Sequence, residues 1–541
     1  MTKADIILSS QAVFTGLGDH PYPASIAVKG NKIVAVGDST EIQPFIGAHT
    51  KSFDFGDQLI TAGFHDAHLH LLSGSLHNNF SVHLHAARSQ EEAVMMVKDF
   101  AEKNPTDEWI IGSGWDSNNW ENNDFPHRSA LDQVVKDRPV FLFHAEFHYA
   151  WVNSKALEVA NITSQTENPP YGIIEKDRMG QPTGILIEKA ISLVSEKAMA
   201  LSEEKLEELL AAFLQHAAQL GVTSVNDLYP SLNTGFDLFK KFDDEGKLTA
   251  RIHLYPALND ELERSKKFRD RYQSEKLKFT GLKQFIDGVV TGHTAYMLDP
   301  YVDRPDTKGE TVFSLEQLMK WVLEADKEGF QIRFHAIGDG AVHSGLNMFA
   351  EAQKQNGKRD SRHALEHIEI IHPDDIKRLK DLGVIASLQP SHLALMPRTS
   401  HTTRVDEKKY PYLYPGGSLK KAGADVAFGT DFPVASLNPM KEIYHAVTRM
   451  DHTGESTWNE QESFTVADAL KAYTQGSAYS VFREHELGTL EEGKFADIII
   501  MNQNIFQAPP DEILNTSIVA TMVDGKFVYS NSENHHLLTV E

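Results

Sequence analysis

Apolar residues recur along the chain with two different periods, and these periods predict where helices and strands lie. Between residues 200 and 484, stretches with helical spacing alternate with short apolar runs. Ser202 is a suitable N-cap for one such helix, and Gly221 ends it. The predicted strands are Leu59–Phe64, Val222–Asn226, Arg251–Pro256, Gly281–Ile286, Gln331–Ala336, His363–Ile368, Val384–Leu388 and Val426–Thr430. Eight such units predict a closed (β/α)8 TIM barrel.

Both ends of the chain have a different pattern, made of short strands. Ala24–Gly37 predicts two strands around a turn, and Ala496–Met501 and Ala520–Val528 predict further strands. Because the ends of a chain are often close together in space, we expect residues 1–58 and 485–541 to form one composite β-sandwich domain.

A long stretch separates the first predicted barrel strand from the second. Residues 76–199 are too many for a bare loop, so we expect an inserted α/β subdomain near the barrel mouth. The barrel domain would then comprise residues 59–75 and 200–484. The predicted fold class is therefore α/β, with a TIM barrel, a small β-sandwich and an inserted subdomain.

Composition narrows the class of protein. The chain has 541 residues and a hydrophobic fraction of 41%, without an apolar run long enough to span a bilayer. Its net charge of −24 makes nucleic acid an unexpected partner. The absence of cysteine excludes disulfides and thiolate chemistry, and the N-terminal residues do not have the pattern of a secretory signal. We expect a cytoplasmic protein that binds a small molecule and not a membrane.

His68 and His70 are two positions apart near the end of the first predicted barrel strand. Residues two apart in a strand face the same side, so both imidazoles could share a metal, with Asp66 on the same face. Such a pair is weak evidence alone, because short histidine pairs are common on protein surfaces. The prediction therefore depends on what the other strand ends carry.

Three more predicted strands end in residues that can bind metals, namely His335, His367 and Asp431. Active sites of TIM barrels lie at this carboxyl end of the strands. Lys283 lies within another predicted barrel strand, where a charged amine is costly. It is either a buried lysine paired with Asp287 or a lysine carboxylated by carbon dioxide, which could bridge two cations.

Taken in order, these segments resemble the amidohydrolase superfamily, and within it the branch of YtcJ-like proteins and N-substituted formamide deformylases. The resemblance covers nearly the whole chain. It depends on the segments His68-Leu69-His70, Lys283 with Asp287-Gly288, His335-Ala336-Ile337-Gly338-Asp339, Glu366-His367 and Gly429-Thr430-Asp431-Phe432-Pro433-Val434.

The resemblance implies a ligand set and a reaction. His68, His70 and Asp431 would hold one divalent metal, His335 and His367 a second, and carboxylated Lys283 would bridge them. One or two metals are expected, with zinc first. The implied reaction is hydrolysis of a non-peptide C–N bond in an amide or N-substituted formamide-like substrate, with Asp431 also the general base.

Residues that contact the substrate are harder to predict. Trp115, Asp116 and His148 in the inserted region are candidates, and Arg362 could contact Glu366 or an anionic substrate. Each could equally serve core packing. Deamination, ester hydrolysis and a non-catalytic binding role are alternatives on the same scaffold. A homodimer is one option for its assembly.

Overall fold

The computed structural model describes residues 2–117, 120, 125–145, 148–170, 172–230 and 236–539. Residues 2–71, 213–230 and 236–539 form one compact unit, and residues 72–212 form another. Both units contain helices and strands, so the chain belongs to the mixed α/β class. Within the part of the chain described here, no helix combines the length and the apolar character needed to cross a bilayer.

A mixed sheet in the first unit is built from both ends of the chain. Leu59–Ala62 pairs in parallel with Ile6–Phe14 and antiparallel with Ile498–Met501. The strands run in the order Lys526–Ser530, Ile518–Val523, Ile498–Met501, Leu59–Ala62, Ile6–Phe14, Tyr22–Lys29 and Lys32–Gly37, with Lys51–Asp54 also beside Ile6–Phe14. Apolar side chains from early and late segments therefore share one hydrophobic core.

The remaining strands of this unit pair in parallel and are largely buried. Burial on both faces is typical of parallel sheets covered by helices. One sheet contains Phe64–Leu69, Val222–Leu228, Arg251–Tyr255 and Leu277–Phe279, and a second contains Gly281–Phe285, Gln331–Ala336, Ala364–His367, Ile385–Leu388 and Val426–Phe428, each in that order.

Backbone contacts join these two parallel sheets at both edges. Ala257 forms a parallel bridge with Lys283, and Leu69 forms one with Phe432. At the second edge, the N–H of Asp431 donates to the carbonyl of His68 at 2.7 Å. The segment around His68 therefore lies directly beside Asp431.

The prediction that Leu59–Phe64 is the first barrel strand is wrong, because Gly63 divides this apolar run between two sheets. The strand before Gly63 joins the sheet of the chain ends, and Phe64–Leu69 joins the parallel strands. A Cβ atom at residue 63 would lie 2.2 Å from Oγ1 of Thr223, so only glycine permits this close approach. The correction places His68 inside the first parallel strand.

Helices alternate with the parallel strands. Ser314, for example, caps Leu315–Lys327 by accepting from the N–H of Gln317 at 3.2 Å, and Leu318 and Val322 are buried at helical spacing. The α-helices are Ser39–Ile42, Glu203–Gln219, Asp237–Asp244, Leu262–Arg271, Leu315–Lys327, Asp339–Asn356, Pro373–Leu382, Thr399–Thr402, Gly416–Lys421, Pro439–Thr448, Val466–Lys471 and Ser477–Ser480. As predicted, Ser202 caps Glu203–Gln219.

The second unit has its own sheet and core. Trp115 and Trp151 are fully buried there, on strands of the same sheet. The strand order is Gly172–Lys176, Pro182–Glu188, Tyr149–Val152, Val140–His144, Ile110–Trp115 and Val82–His83. The helices are Leu71–Phe80, Gln90–Lys103, Arg128–Val134, Ser154–Val159 and Ser192–Ala198.

Candidate metal centre

The structure brings the six predicted metal ligands together around one cavity of about 300 Å³. Each lies on a parallel strand or shortly after one, so the sheet positions them. They are His68 in Phe64–Leu69, His70 after it, Lys283 in Gly281–Phe285, His335 in Gln331–Ala336, His367 at the end of Ala364–His367, and Asp431 after Val426–Phe428.

Asp431 is the carboxylate at the centre of this group. Its Oδ1 lies 3.2 Å from Nε2 of His68 and 3.1 Å from Nε2 of His70. Ligand atoms of His68, His367 and Asp431 all lie within 4.8 Å of one another, which makes them the group among the described residues that could hold one ion. The ring of His335 packs against that of His367, with centroids 4.6 Å apart.

In each of the four histidine rings, one nitrogen has a hydrogen-bond partner. Such partners orient metal-binding imidazoles and select which nitrogen faces the metal. The contacts are His68 Nδ1 to Glu366 Oε2 at 2.7 Å, His70 Nδ1 to the carbonyl of Leu228 at 2.7 Å, His335 Nε2 to the carbonyl of Gly288 at 3.0 Å, and His367 Nδ1 to Gln389 Oε1 at 2.8 Å. These contacts fix the orientation of the four rings, and Nε2 of His68 and of His70 faces the carboxylate of Asp431.

Glu366 itself is held by a buried arginine. Arg333 Nε donates to Glu366 Oε1 at 2.6 Å, and both side chains are fully buried. Burial opposes ionisation, but the charge of Arg333 lowers the pKa of Glu366 well below its ordinary value. The partner of His68 is thus a carboxylate, which accepts hydrogen bonds and cannot donate one.

The backbone at Asp431 has an uncommon conformation, and the side chain of Asp66 anchors the segment that carries it. Asp431 and His367 have φ angles of 58° and 75°, a left-handed region that non-glycine residues rarely adopt. Asp66 accepts from Thr430 Oγ1 at 2.7 Å and from the hydroxyl of Tyr473 at 3.0 Å. Asp66 therefore anchors the segment that carries Asp431 and is not positioned as a ligand.

The turn after Ile385–Leu388 is fixed in a similar way. It carries Gln389 and His392, and its Ser391 N–H donates to Oε2 of Glu442 at 2.9 Å. The Ser391 hydroxyl donates to the other carboxyl oxygen. Burial raises the pKa of Glu442 to about 8. This buried carboxyl group holds the turn at the edge of the site.

The charge states of His335, His367 and Asp431 suit a cation. Burial lowers the pKa of His335 to about 4 and that of His367 well below its ordinary value. Burial also lowers the pKa of Lys283 to about 8, although Glu366 and Asp431 oppose this shift. Burial disfavours the charged form of Asp431, but His68 and His70 hold its pKa well below its usual range. Neutral imidazoles and a carboxylate are the forms that bind metals, so the residues present fit a divalent ion.

The family of the chain follows from its similarity to known protein families. One family model, described as the amidohydrolase family, matches residues 52–529. The chain belongs to the amidohydrolase family. The resemblance drawn from the ligand-bearing segments is thereby confirmed.

Curated relatives match this amidohydrolase over almost its whole length. Protein LONG AFTER FAR-RED 3 of Arabidopsis thaliana is 32% identical over 97% of this chain and 92% of that protein. YtcJ of Bacillus subtilis, which is assigned by name to the amidohydrolases, is 29% identical over 96% and 98%. The N-substituted formamide deformylase of Arthrobacter pascens is 24% identical over 98% and 99%.

A solved structure agrees with this assignment. The amidohydrolase is similar to an uncharacterised metal-dependent hydrolase from Pyrococcus furiosus, with a TM-score of 0.77 and 26% identity over 93% of this chain and all of that one. By family and by fold, this amidohydrolase is a metal-dependent hydrolase.

Trp115, a predicted substrate contact, lies in the core of the second unit. In this amidohydrolase its ring is fully buried between Trp120 and Trp151, and Nε1 donates to the carbonyl of Leu142 at 2.9 Å. Its role as a substrate contact stays a prediction.

The other two candidates in the inserted region have different surroundings. Asp116 is half-buried, with Oδ1 3.4 Å from Nε2 of His144. His148 is exposed and contacts Glu188 through Nδ1 at 2.9 Å. Their roles as substrate contacts stay predictions.

Arg362 forms its ion pairs away from Glu366, and its role as a contact for an anionic substrate stays a prediction. Arg362 precedes its strand, and Nη2 lies 2.8 Å from Glu484 Oε1 and 2.9 Å from Asp360 Oδ2. Its guanidinium also packs on the ring of Tyr479. The arginine that reaches Glu366 is Arg333, because it lies on the adjacent strand in parallel register.

Several residues around the site carried no sequence-based assignment. His392 follows a predicted strand closely and could have been considered on that ground. Glu369, His401 and Tyr414 also border the cavity, but His401 and Tyr414 lie far from any predicted strand end. Only their folding together shows that they share a site.

Proposed function

We propose that this amidohydrolase uses water to hydrolyse a non-peptide C–N bond in a small amide or an N-substituted formamide-like substrate. The observation that carries the proposal is the carboxylate of Asp431, which lies within 3.2 Å of two oriented imidazoles at the wall of a cavity. The named activity of the Arthrobacter pascens relative supports the substrate class.

The proposed division of the metal ligands is the one that the resemblance to the amidohydrolases implies. His68, His70 and Asp431 would hold one divalent ion and His335 and His367 a second, with carboxylated Lys283 between them. Zinc is our first candidate, because imidazole and carboxylate ligands suit it. A bound metal would lower the pKa of water from about 15.7 to near 7 and polarise the substrate carbonyl.

Carboxylation of Lys283 is part of the proposal. Its amine nitrogen would attack carbon dioxide, form one N–C bond and release one proton, which gives a carbamate anion. The reaction requires the neutral amine, and burial lowers the pKa of Lys283 to about 8. The alternative is an ion pair between Lys283 and Asp287. The Asp287 carboxylate already accepts hydrogen bonds from the N–H groups of Ile337 and Gly338 at 3.0 and 2.9 Å.

Asp431 is the proposed general base. Its Oδ1 faces His68 and His70, whereas Oδ2 lies 3.8 Å from Nε2 of His392. The carboxylate would take a proton from the attacking water and pass it to the leaving amine. The remaining histidines would hold their orientation through the hydrogen bonds described above.

We also propose the architecture in which these residues act. The two parallel sheets, bridged at both edges, would form the (β/α)8 barrel, and the sheet of the two chain ends would form the composite β domain. We put the proposed boundary between them at Gly63, since the run Leu59–Phe64 divides there between two sheets.

The test combines metal analysis with a substrate panel. Purified protein should contain divalent metal, lose activity with a chelator and regain it with added metal. The panel contains formamides, acyl amino acids, cyclic amides, esters and aminopurines, and we expect turnover of amides and formamides. Turnover of esters or aminopurines alone would overturn the proposed bond.

The variant Asp431→Asn tests the proposed role of Asp431 as general base. It should abolish turnover, and near-normal kcat in the metal-loaded variant would overturn the role of Asp431. A metal-free protein that stays inactive after metal supplementation would favour a binding role without catalysis.

A further inference from the structure

The cavity that holds the proposed metal ligands also has an apolar part. Buried and half-buried apolar side chains form its wall, namely Phe285, Val290 and Ile337. Four further apolar side chains border the same cavity but are exposed, namely Val289, Leu395, Met396 and Val434. We call these four residues the apolar rim. Single exposed apolar residues are common on proteins, whereas several that border one cavity are typical of a binding site.

The apolar rim leaves much of its surface in water. The exposed fractions of its four residues lie between 42% and 55%. Apolar surface that stays in water adds nothing to the stability of the fold, whereas its burial is favourable. A molecule that extends from the proposed metal ligands past the cavity wall would cover this surface. The apolar rim therefore matches a part of the ligand that is itself apolar.

Hydrogen bonds of the backbone hold three of the four rim residues in place. The N–H of Val434 donates to the carbonyl of Asp431 at 2.8 Å, and the N–H of Leu395 donates to the carbonyl three residues earlier at 3.2 Å. The N–H of Val289 donates to Oγ1 of Thr294 at 2.9 Å. Because these positions are fixed before a ligand binds, binding orders few further groups and costs little conformational entropy.

The charged side chains of the lining favour a ligand part without charge. Among the described lining residues there is no arginine, and the lysine is Lys283, a proposed metal ligand. The carboxylate of Glu369 is engaged with Nε2 of His401 at 2.8 Å. A carboxylate or an ammonium group placed against the apolar rim would lose water without gaining a partner there, which is costly.

We propose that the apolar rim binds an uncharged, apolar arm of the substrate and sets the preference of this amidohydrolase for the length of that arm. The inference rests on the proposed function, and it assigns the part of the substrate that lies away from the bond to be cleaved. Amides whose arm carries a charge, such as acyl amino acids, are then poor substrates.

The experiment uses N-alkylformamides with methyl, propyl and hexyl arms, and one compound as long as the hexyl compound whose arm ends in a carboxylate. For metal-loaded wild-type protein, kcat/KM should rise by about two- to fourfold per added methylene, because each is removed from water. The carboxylate compound should be poorer than the hexyl compound by about tenfold or more. A preference for the carboxylate compound would overturn the proposal.

The variants Leu395→Ser and Met396→Ser test the assignment of the apolar rim. Each should lower the ratio of kcat/KM between the hexyl and methyl compounds by about threefold or more, because a polar side chain replaces an apolar contact. Leu514→Ser is the matched control, since Leu514 is also 42% exposed but lies outside the described lining of the cavity. It should keep the wild-type ratio. A ratio that both rim variants leave unchanged would overturn the proposal.

Calorimetric binding of the same formamides separates this inference from the proposed function. If wild-type protein hydrolyses none of them but binds longer arms more tightly, and both rim variants weaken that trend, the role of the apolar rim stands and the proposed reaction falls. If all alkyl compounds are hydrolysed and bound without dependence on arm length, the reaction stands and the apolar rim does not select the substrate.

Discussion

The Nδ1 atom of His68 lies 2.7 Å from Oε2 of Glu366, a contact between two fully buried side chains. It leaves Nε2 of His68 to face Asp431, 3.2 Å away. The orientation of a proposed metal ligand therefore depends on a residue outside the described lining of the cavity.

Replacing that carboxylate should weaken metal binding. In Glu366→Gln, His68 loses its charged partner and Arg333 is left buried beside a neutral group. We expect metal affinity to fall by about 10–100-fold, the usual effect of removing a hydrogen-bond partner of a ligand. Competition with a chelator measures the affinity, and Glu261→Gln at an exposed site is the control. Equal affinities for the Glu366→Gln variant and wild type would contradict this role.

Removal of the Lys283 amine should disrupt the proposed bridge. In Lys283→Ala we expect fewer metal ions per chain and loss of activity, because no carboxylate then lies between the two ion positions. Added formate or acetate should restore part of both, since a small carboxylate can occupy the vacated space. Mass spectrometry measures the number of metal ions per chain, and a turnover assay measures the activity. A full metal complement in wild-type protein whose native mass shows an unmodified lysine would contradict carboxylation.

The buried carboxyl group of Glu442 predicts a pH dependence of stability. Burial raises its pKa from 4.5 to about 8, so between these values the unfolded chain releases a proton that the folded protein retains. This group therefore lowers the free energy of unfolding as the pH rises through that window, and its contribution is constant above it.

Glu442→Gln removes this titration and keeps an acceptor for Ser391. Relative to wild type, the variant should gain stability progressively from about pH 5 to about pH 8. Urea denaturation at several pH values measures the difference. A difference that does not change with pH would show that Glu442 does not titrate in this range.

A buried ion pair should contribute strongly to the stability of the first unit. Arg251 is fully buried and donates through Nε and Nη2 to Asp497 at 2.7 and 3.0 Å. Asp497→Asn leaves this cation with only part of its partners, so we expect a loss of about 3–5 kcal/mol. The midpoint of unfolding in denaturant measures this loss of stability. Asp306→Asn at an exposed pair should leave the midpoint unchanged, and an unchanged midpoint in both variants would contradict the prediction.

The places of the proposed ligands in the fold could be predicted because strand ends are local features. His335, His367 and Asp431 follow short apolar runs, and the structure has parallel strands there. The start of the first strand could not be predicted, because the apolar run through Gly63 is continuous and its division between two sheets depends on Thr223, which is distant in sequence.

Contacts between side chains were less accessible from the sequence. Arg362 is nearer to Glu366 in the chain, but Arg333 reaches it across neighbouring strands. Trp115 lies in a glycine-rich stretch that is typical of a loop, yet it is fully buried. Neither arrangement could be predicted, because sequence distance does not report which side chains meet after folding.

The sheet that joins Leu59–Ala62 to Ile498–Met501 has a consequence for synthesis of the protein. On the ribosome, the early strand emerges long before its late partner, and its edge stays unpaired while the intervening residues are made. Exposed strand edges promote association with other chains. The nascent chain would thus be most prone to aggregation before Ile498–Met501 emerges, and protection of Leu59–Ala62 in that interval would govern the yield of folded protein.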